Sequence, residues 1–190
     1  MPSYKFKFMF PEDPVDKEFL VEVPEEDVSK FHLSGLLKDM LEELDDVNEI
    51  PIMNKTKKAT FVKLYEFLDM YKKDPMENIT FPIKTKCISE LKNLQPSYVK
   101  FIQDIDKDNI NNLYDLINLA DYMDLKPLLD LSMSLLNSIC YELASRETFD
   151  EQAIRNRLDC HYVPSKEEEE ESRRMHPWLY EIPIEDLINN

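Results

Sequence analysis

The chain opens with alternating side chains. From Tyr4 to Phe10 large apolar residues occupy every second position and lysines fill two of the positions between them, a period of two that predicts a half-buried β-strand. After two prolines, the run Phe19–Val23 predicts a second strand, so the two strands should pair as a hairpin with a longer loop. Ile50–Met53 predicts a short third strand at the sheet edge, because Pro51 lacks a backbone donor.

Helical spacing replaces this alternation in two early segments. Apolar residues recur three and four positions apart over Phe31–Leu44 and over Phe61–Tyr71, which predicts two amphipathic helices. The second helix should end near Asp74–Pro75. Residues 72–97 show no clear period, and we interpret them as an irregular insertion with at most one short strand or helix.

The pattern after residue 97 is helical to the end of the chain. One apolar stripe covers residues 110–120, and another helix opens at Pro127, where proline suits the first turn. Two short amphipathic segments follow, at 149–158 and 166–175. Ser165 and Glu168 stand at the spacing of a capping box at the start of the second.

These elements predict an α+β protein, in which three short strands are surrounded by helices and followed by more helices. We divide the chain into an α/β module over residues 1–125, a helical extension over 126–181 and an additional tail over 182–190.

Charge narrows the choice of partner. Acidic residues outnumber basic ones, 39 to 23, for a net charge of −16, while 43% of residues are hydrophobic, as expected of a folded chain. The electrostatic field of this negative net charge repels nucleic-acid phosphates and anionic lipid, so neither nucleic acid nor membrane is an expected partner. A protein with a basic rim fits better, and solubility alone is the other explanation.

Cysteine usage bears on the compartment. Cys87, Cys140 and Cys160 are odd in number and follow no disulfide framework, which favours a reducing environment. The first residues lack the apolar run of a signal peptide, and no apolar stretch has the length of a membrane span. The expected location is the cytosol or the nucleus.

Catalytic and cofactor chemistry has no support in the residues. Phosphate-cradling loops need several glycines, and Gly35 is the only glycine in the sequence. Cys160 and His161 are the only close Cys/His pair, too few for a structural zinc site and without a nucleophile motif. We expect no catalytic residue, metal, cofactor or small-molecule substrate. A small acidic enzyme or stress protein is the rival, which turnover or cofactor uptake would reveal.

Three segments of the first half carry a family resemblance: Leu37–Leu44, Ile50–Asn54 and Tyr71–Asp74. They are similar, in turn, to the first long helix, the short strand and the end of the following helix in the Skp-type adaptors of Skp–cullin–F-box (SCF) ubiquitin ligases. Leu119–Leu131 matches the family nearly residue by residue. Ile154–Trp178, with its glutamate run and lone tryptophan, resembles the family's C-terminal extension.

The resemblance also has departures. Residues 75–96 are more apolar than the acidic insertion usual in the family. Asp121 stands where asparagine is usual, Pro127 replaces a glycine, and Ile182–Asn190 is additional. These differences indicate a divergent member.

The resemblance implies a BTB/POZ fold and a non-enzymatic adaptor that holds an F-box protein on one surface and a cullin on another. On the matching positions Asp121 and Tyr122 would contact the cullin. The F-box site would be lined by Met133, Leu136, Cys140, Leu158, Cys160 and Trp178.

Simpler roles stay open for some of these side chains. Tyr122 packing across the helix junction, Trp178 pinning the last helix and Cys160 acting as a small hydrophobe would each explain the residue. The runner-up function is a BTB module that binds F-box proteins without a cullin or self-associates.

Overall fold

The computed structural model describes residues 3–43, 49–52, 55–107, 109–145 and 150–177. Its sheet has three strands in the order β2-β1-β3: β1 (Ser3–Met9), β2 (Glu18–Pro24) and β3 (Glu49–Pro51). β1 and β2 form the predicted antiparallel hairpin, and β3 lies parallel to β1 at an edge. Met53, the last residue of the predicted third strand, is outside the described residues.

Alternation along β1 sorts its side chains between the two faces of the sheet. Phe6 and Phe8 are buried in the core. Lys7 points to the other face, where its Nζ lies 3.1 Å from carboxylates of Glu18 on β2 and Glu49 on β3. Hydrogen bonds to Glu18 and then Glu49 raise the pKa of Lys7, so one cation links all three strands.

Seven α-helices lie within the described parts of the chain. They are α1 (Gly35–Glu43), α2 (Lys58–Lys73), α3 (Pro96–Asp106), α4 (Ile110–Tyr122), α5 (Lys126–Ala144), α6 (Glu151–Arg157) and α7 (Lys166–Met175). Two 3₁₀ segments, Glu25–Leu33 and Ile88–Glu90, accompany them. None of these helices combines the length and apolarity that crossing a bilayer requires.

The first predicted helix is interrupted. Phe31 and Leu33 belong to a 3₁₀ segment, and α1 begins only at Gly35. Ser34 between them is extended; its Oγ accepts the Leu37 N–H at 3.2 Å and donates to the Met123 carbonyl at 2.6 Å. The apolar period continues across this break, which is why spacing alone did not reveal it.

The single glycine is explained by a close approach. The Gly35 N–H donates to the Asp124 carbonyl at 3.1 Å, and a Cβ at Gly35 would lie 2.1 Å from Asp124 Oδ2. Helix α1 has no acidic residue in its first turn, so the Asp124 carboxylate supplies the negative charge that favours a helix start. This contact fixes α1 to the junction of α4 and α5.

One core runs from the sheet to helix α5. Phe6 and Phe8 of β1 belong to the same buried cluster as Leu128, Leu131 and Leu135 of α5. Helices α6 and α7, in contrast, contain no buried residue. The division at residue 125 therefore stays a prediction about which part folds alone, since the core crosses it.

Candidate partner-binding surfaces

Helix α5 has apolar side chains on two faces. Its inner face is buried and carries three serines as well as the apolar residues Leu128, Leu131, Leu135, Ile139 and Leu143. A second row, which we call the outer stripe, consists of Leu129, Met133, Leu136 and Cys140. Their spacing of four, three and four places them on one side of the helix. Met133 is 39% exposed, Cys140 is exposed, and Leu129 and Leu136 are half-buried.

The same helix is free of charge over most of its length. No Asp, Glu, Lys or Arg occurs from Leu131 to Tyr141, in a chain in which 33% of residues are charged. Depletion of charge together with accessible methionine is typical of the centre of a protein–protein interface. The outer stripe is therefore a candidate docking surface.

Helix α6 is tied to the start of α4. The Tyr114 hydroxyl donates to the Leu158 carbonyl at 2.9 Å, and Asn111 Nδ2 donates to Asp159 Oδ2 at 2.6 Å. Arg157 forms a two-point ion pair with the Asp106 carboxylate. These polar contacts, with partial burial of Leu158 against the core, hold α6 in place without a buried side chain of its own.

Cys140 and Cys160 both lie near enough to Tyr114 for their charges to act on its hydroxyl. Desolvation chiefly raises the pKa of the Tyr114 hydroxyl, and the charges that Cys140 and Cys160 would carry as thiolates raise it further. Cys140 borders solvent, yet neighbouring atoms desolvate its thiol enough to raise its pKa. The Cys140 thiol is thus neutral at physiological pH and behaves as a small apolar group rather than a nucleophile.

Helix α7 begins with the predicted capping box. Ser165 Oγ accepts the Glu168 N–H at 3.3 Å, and the Glu168 carboxylate accepts the Ser165 N–H at 2.8 Å. The Tyr162 hydroxyl also donates to that carboxylate, and these bonds lower the pKa of Glu168, the tyrosine bond most. Tyr162, Val163 and Met175 are large apolar side chains left in solvent around this helix.

The residues predicted to contact a cullin lie at the other end of α4. Asp121 is exposed, and Tyr122 is half-buried against the core. Tyr122 thus packs across the junction and keeps part of its ring accessible, which fits both interpretations of this residue. Eight residues of helix separate Tyr122 from Tyr114, a rise of about 12 Å.

The structure brings most of the predicted F-box residues together. Met133, Leu136 and Cys140 share the outer stripe. The Leu158 carbonyl accepts a hydrogen bond from Tyr114, and both Cys140 and Cys160 lie close enough to Tyr114 for their charges to act on its hydroxyl. Trp178 lies outside the described residues. Two residues of this region were missed from the sequence. Leu129 continues the stripe at helical spacing and was recognisable, whereas the role of Tyr114 depends on where α6 docks.

Similarity to known proteins identifies the family. No protein-family model matches the chain. The S-phase kinase-associated protein 1 homolog of Tetrahymena thermophila is 33% identical to it over 162 residues, which cover 85% of this chain and 89% of that protein. The chain belongs to the S-phase kinase-associated protein 1 family. The resemblance to Skp-type adaptors is thereby confirmed.

Membership of this Skp family has a chemical consequence. Its members are non-catalytic adaptors, so the protein is not an enzyme. The α+β class with a small three-stranded sheet and surrounding helices is also confirmed.

The one Cys/His pair in the Skp-family chain has a local explanation. His161 Nε2 lies 2.7 Å from Asp159 Oδ1, and the Asp159 carboxylate also accepts from Asn111. These two hydrogen bonds, that of Asn111 first, lower the pKa of Asp159. The described residues contain no group of three or more His, Cys, Asp or Glu side chains arranged to hold a metal ion.

Proposed function

We propose that this Skp-family protein is a BTB/POZ-fold adaptor that joins an F-box substrate receptor to a cullin in an SCF-type ubiquitin ligase. The F-box protein binds the outer stripe of α5 together with the α6–α7 region. The cullin binds at the C-terminal end of α4, at Asp121 and Tyr122. The observation that carries this proposal is the uncharged, partly exposed outer stripe on a helix whose neighbouring face already fills the core.

The outer stripe suits an apolar partner helix. Its side chains lie in one row along α5, so an amphipathic helix can place its own apolar row beside them. Burial of this surface would remove Met133 and the exposed part of Cys140 from water, which is favourable in proportion to the apolar area covered. The negative charge of the surrounding surface would then mainly raise the rate of association with a partner that has a basic rim.

The second surface is supported by its position. Asp121 and Tyr122 lie at the opposite end of α4 from the α6 attachment, and the Ser34 and Gly35 contacts fix that junction to α1. Two partners bound at these places would be held at a set distance by packed helices. Positioning of substrate relative to the ubiquitin-carrying enzyme is the physical task of such an adaptor.

We place this activity in the cytosol or nucleus. Cys87, Cys140 and Cys160 are all free thiols, which suits a reducing compartment.

The test separates the two surfaces by single substitutions. Met133→Asp should lower affinity for an F-box peptide at least about thirtyfold, because it places a charge at the interface centre. Leu20→Asp is the matched control, since Leu20 is an exposed apolar residue on the sheet. The affinity of this variant for the F-box peptide should equal that of the wild type. Binding is measured by calorimetry, with thermal melting as the check on folding.

Tyr122→Ala should do the reverse, weakening cullin binding and sparing the F-box peptide. Trp178→Ala should act like Met133→Asp, since loss of an anchoring aromatic typically costs at least about 2 kcal/mol. If each folded variant lost both partners, the two-surface proposal would fail. If the wild-type protein bound the F-box peptide but no cullin, the alternative function, a BTB module that binds F-box proteins without a cullin, would replace the two-surface proposal.

A further inference from the structure

One segment of this acidic protein is basic. Residues 78–103 contain four lysines and a single glutamate, a net charge of +3. The whole chain carries −16, so everything outside this segment carries −19. A local reversal of sign of this size is not needed for solubility, which the rest of the chain already supplies.

The loop that opens this segment is fixed in place. Gln95 Nε2 donates to the Pro75 carbonyl at 3.2 Å and closes the base of the loop. Met76, Ile83 and Ile88 along it are buried, and the 3₁₀ turn at Ile88–Glu90 packs against α3 and α5. The exposed polar side chains of this loop are therefore attached to a backbone that is held in one position.

Lysines and one aromatic ring cover the outer side of the loop. Lys84, Lys86 and Lys92 are exposed and form no ion pair with the described residues. Phe81, in the same loop, is 42% exposed. We call these four side chains, together with a cavity of the same loop that Lys92 helps to line, the basic loop surface.

The cavity lies between the two arms of the loop. It has a volume of about 240 Å³ and is lined by residues 77–80 on one arm and 91–94 on the other. Ile79, Leu91 and Leu94 give it an apolar wall, Lys92 is part of its lining, and Glu77 lies on the opposite arm. It thus offers room for an apolar side chain next to a cation.

We propose that the basic loop surface binds a short acidic segment of a partner protein, with one apolar side chain of that segment in the cavity. This interaction goes beyond the adaptor function, because none of its residues belongs to the outer stripe or to the end of α4. Lys84, Lys86 and Lys92 pair with carboxylates of the segment, and Phe81 covers its apolar residue.

The size of the patch selects a peptide over other anions. A nucleic acid or an anionic membrane extends beyond a single loop and would face the −19 carried by the remainder of the protein. A short peptide segment fits within the loop and meets mainly its lysines. Its apolar contact also uses the cavity wall, which phosphate groups would leave empty.

The probe is a fluorescein-labelled peptide that alternates pairs of Asp and Glu with single leucines, measured by fluorescence anisotropy on the full chain. Wild-type protein should bind it, with affinity falling as salt rises. Lys84→Glu with Lys86→Glu should weaken binding at least about tenfold. The matched control is Lys5→Glu with Lys166→Glu, two exposed lysines elsewhere in the chain, which changes net charge equally and should leave affinity within about twofold.

Phe81→Ala should weaken peptide binding about fivefold, whereas Leu20→Ala, an exposed apolar control on β2, should not. Should the double charge reversal fail to fold, Lys84→Gln with Lys86→Gln removes the same cations without adding carboxylates. The proposal is overturned if wild type does not bind the peptide, or if the control pair weakens binding as much as the loop pair. It is also overturned if phosphatidylserine vesicles or oligothymidylate bind to this loop in preference to the peptide.

Discussion

The sheet with helices α1–α5 and the region of α6–α7 are built in opposite ways. In the first, apolar side chains from distant parts of the chain meet in one buried cluster. In the second, helix caps, ion pairs and the Tyr114–Leu158 hydrogen bond hold the helices, helped by the partly buried Ile154 and Leu158, and no side chain is fully buried in either helix. The difference teaches that the first region is stable through its own core, whereas the second leaves apolar surface for a partner to cover.

The largest expected effect comes from removing the second region altogether. Deletion of residues 149–190 should abolish F-box binding, while the remaining chain keeps a cooperative thermal melt, because residues 150–177, the part of this segment that the structure describes, contain no fully buried side chain. Calorimetric binding and melting curves measure the two properties. Capture of an F-box peptide at full affinity by the truncated protein would show that the outer stripe acts without α6–α7.

A substitution in the buried core should lower stability far more than a substitution in the α6–α7 region. Phe61 is fully buried and its ring centroid lies 4.4 Å from that of Phe8, so Phe61→Ala should cost about 3–5 kcal/mol of unfolding free energy. Tyr162→Ala, which removes an exposed aromatic of the second region, should stay within about 0.5 kcal/mol. Urea unfolding compares them, and equal losses would contradict the contrast between the regions.

The link between the regions is expected to have an intermediate effect. Tyr114→Phe removes the donor to the Leu158 carbonyl and should cost about 1 kcal/mol. The loss should appear as faster amide hydrogen exchange in α6 with little change in the core. Tyr141→Phe is the control, because the structure shows no hydrogen bond of its hydroxyl to the described residues. Unchanged exchange in α6 would show that Arg157 and Asn111 hold it without the tyrosine.

Acid should act on the first region through Asp13. Its carboxylate accepts backbone N–H groups of Val15, Asp16 and Lys58, and these bonds lower its pKa below the ordinary 3.8. A lowered carboxyl pKa stabilises the fold at pH above 3.8, and the stabilisation is lost as pH falls through the folded value.

The melting temperature of Asp13→Asn should therefore depend less on pH between about 5 and 2 than that of the wild type. Asp39→Asn, which changes an exposed carboxylate on α1, is the control. Parallel curves for wild type and Asp13→Asn would show that the three bonds contribute little to stability.

Local patterns predicted the elements that depend on local chemistry. The β1–β2 hairpin, helix α2 and the capping box at Ser165 follow from alternation, apolar spacing and cap residues within a few positions of one another. The predicted start of the first helix, at Phe31, was wrong, because the true start depends on Ser34 contacting a carbonyl 89 residues away. Helix α3 was not separated from α4, since helical spacing continues across both.

The same distinction between local patterns and long-range contacts applies to the residues of the candidate sites. Met133, Leu136 and Cys140 could be grouped from helical spacing on one element, whereas Tyr114 enters only once α6 is docked. The assignment of these residues to an F-box protein, and of Asp121 and Tyr122 to a cullin, came from family resemblance. Both assignments stay predictions.

The contact between Gly35 and Asp124 has a practical meaning for anyone redesigning this adaptor. The Asp124 side chain lies so close to the Gly35 Cα that a methyl group at residue 35 would displace its carboxylate, immediately beside the junction of α4 and α5. Any side chain at residue 35 must therefore move the Asp124 carboxylate or shift α1 away from the junction of α4 and α5. A larger residue there should loosen the attachment of α1, while the side chains of the outer stripe on α5 stay unchanged.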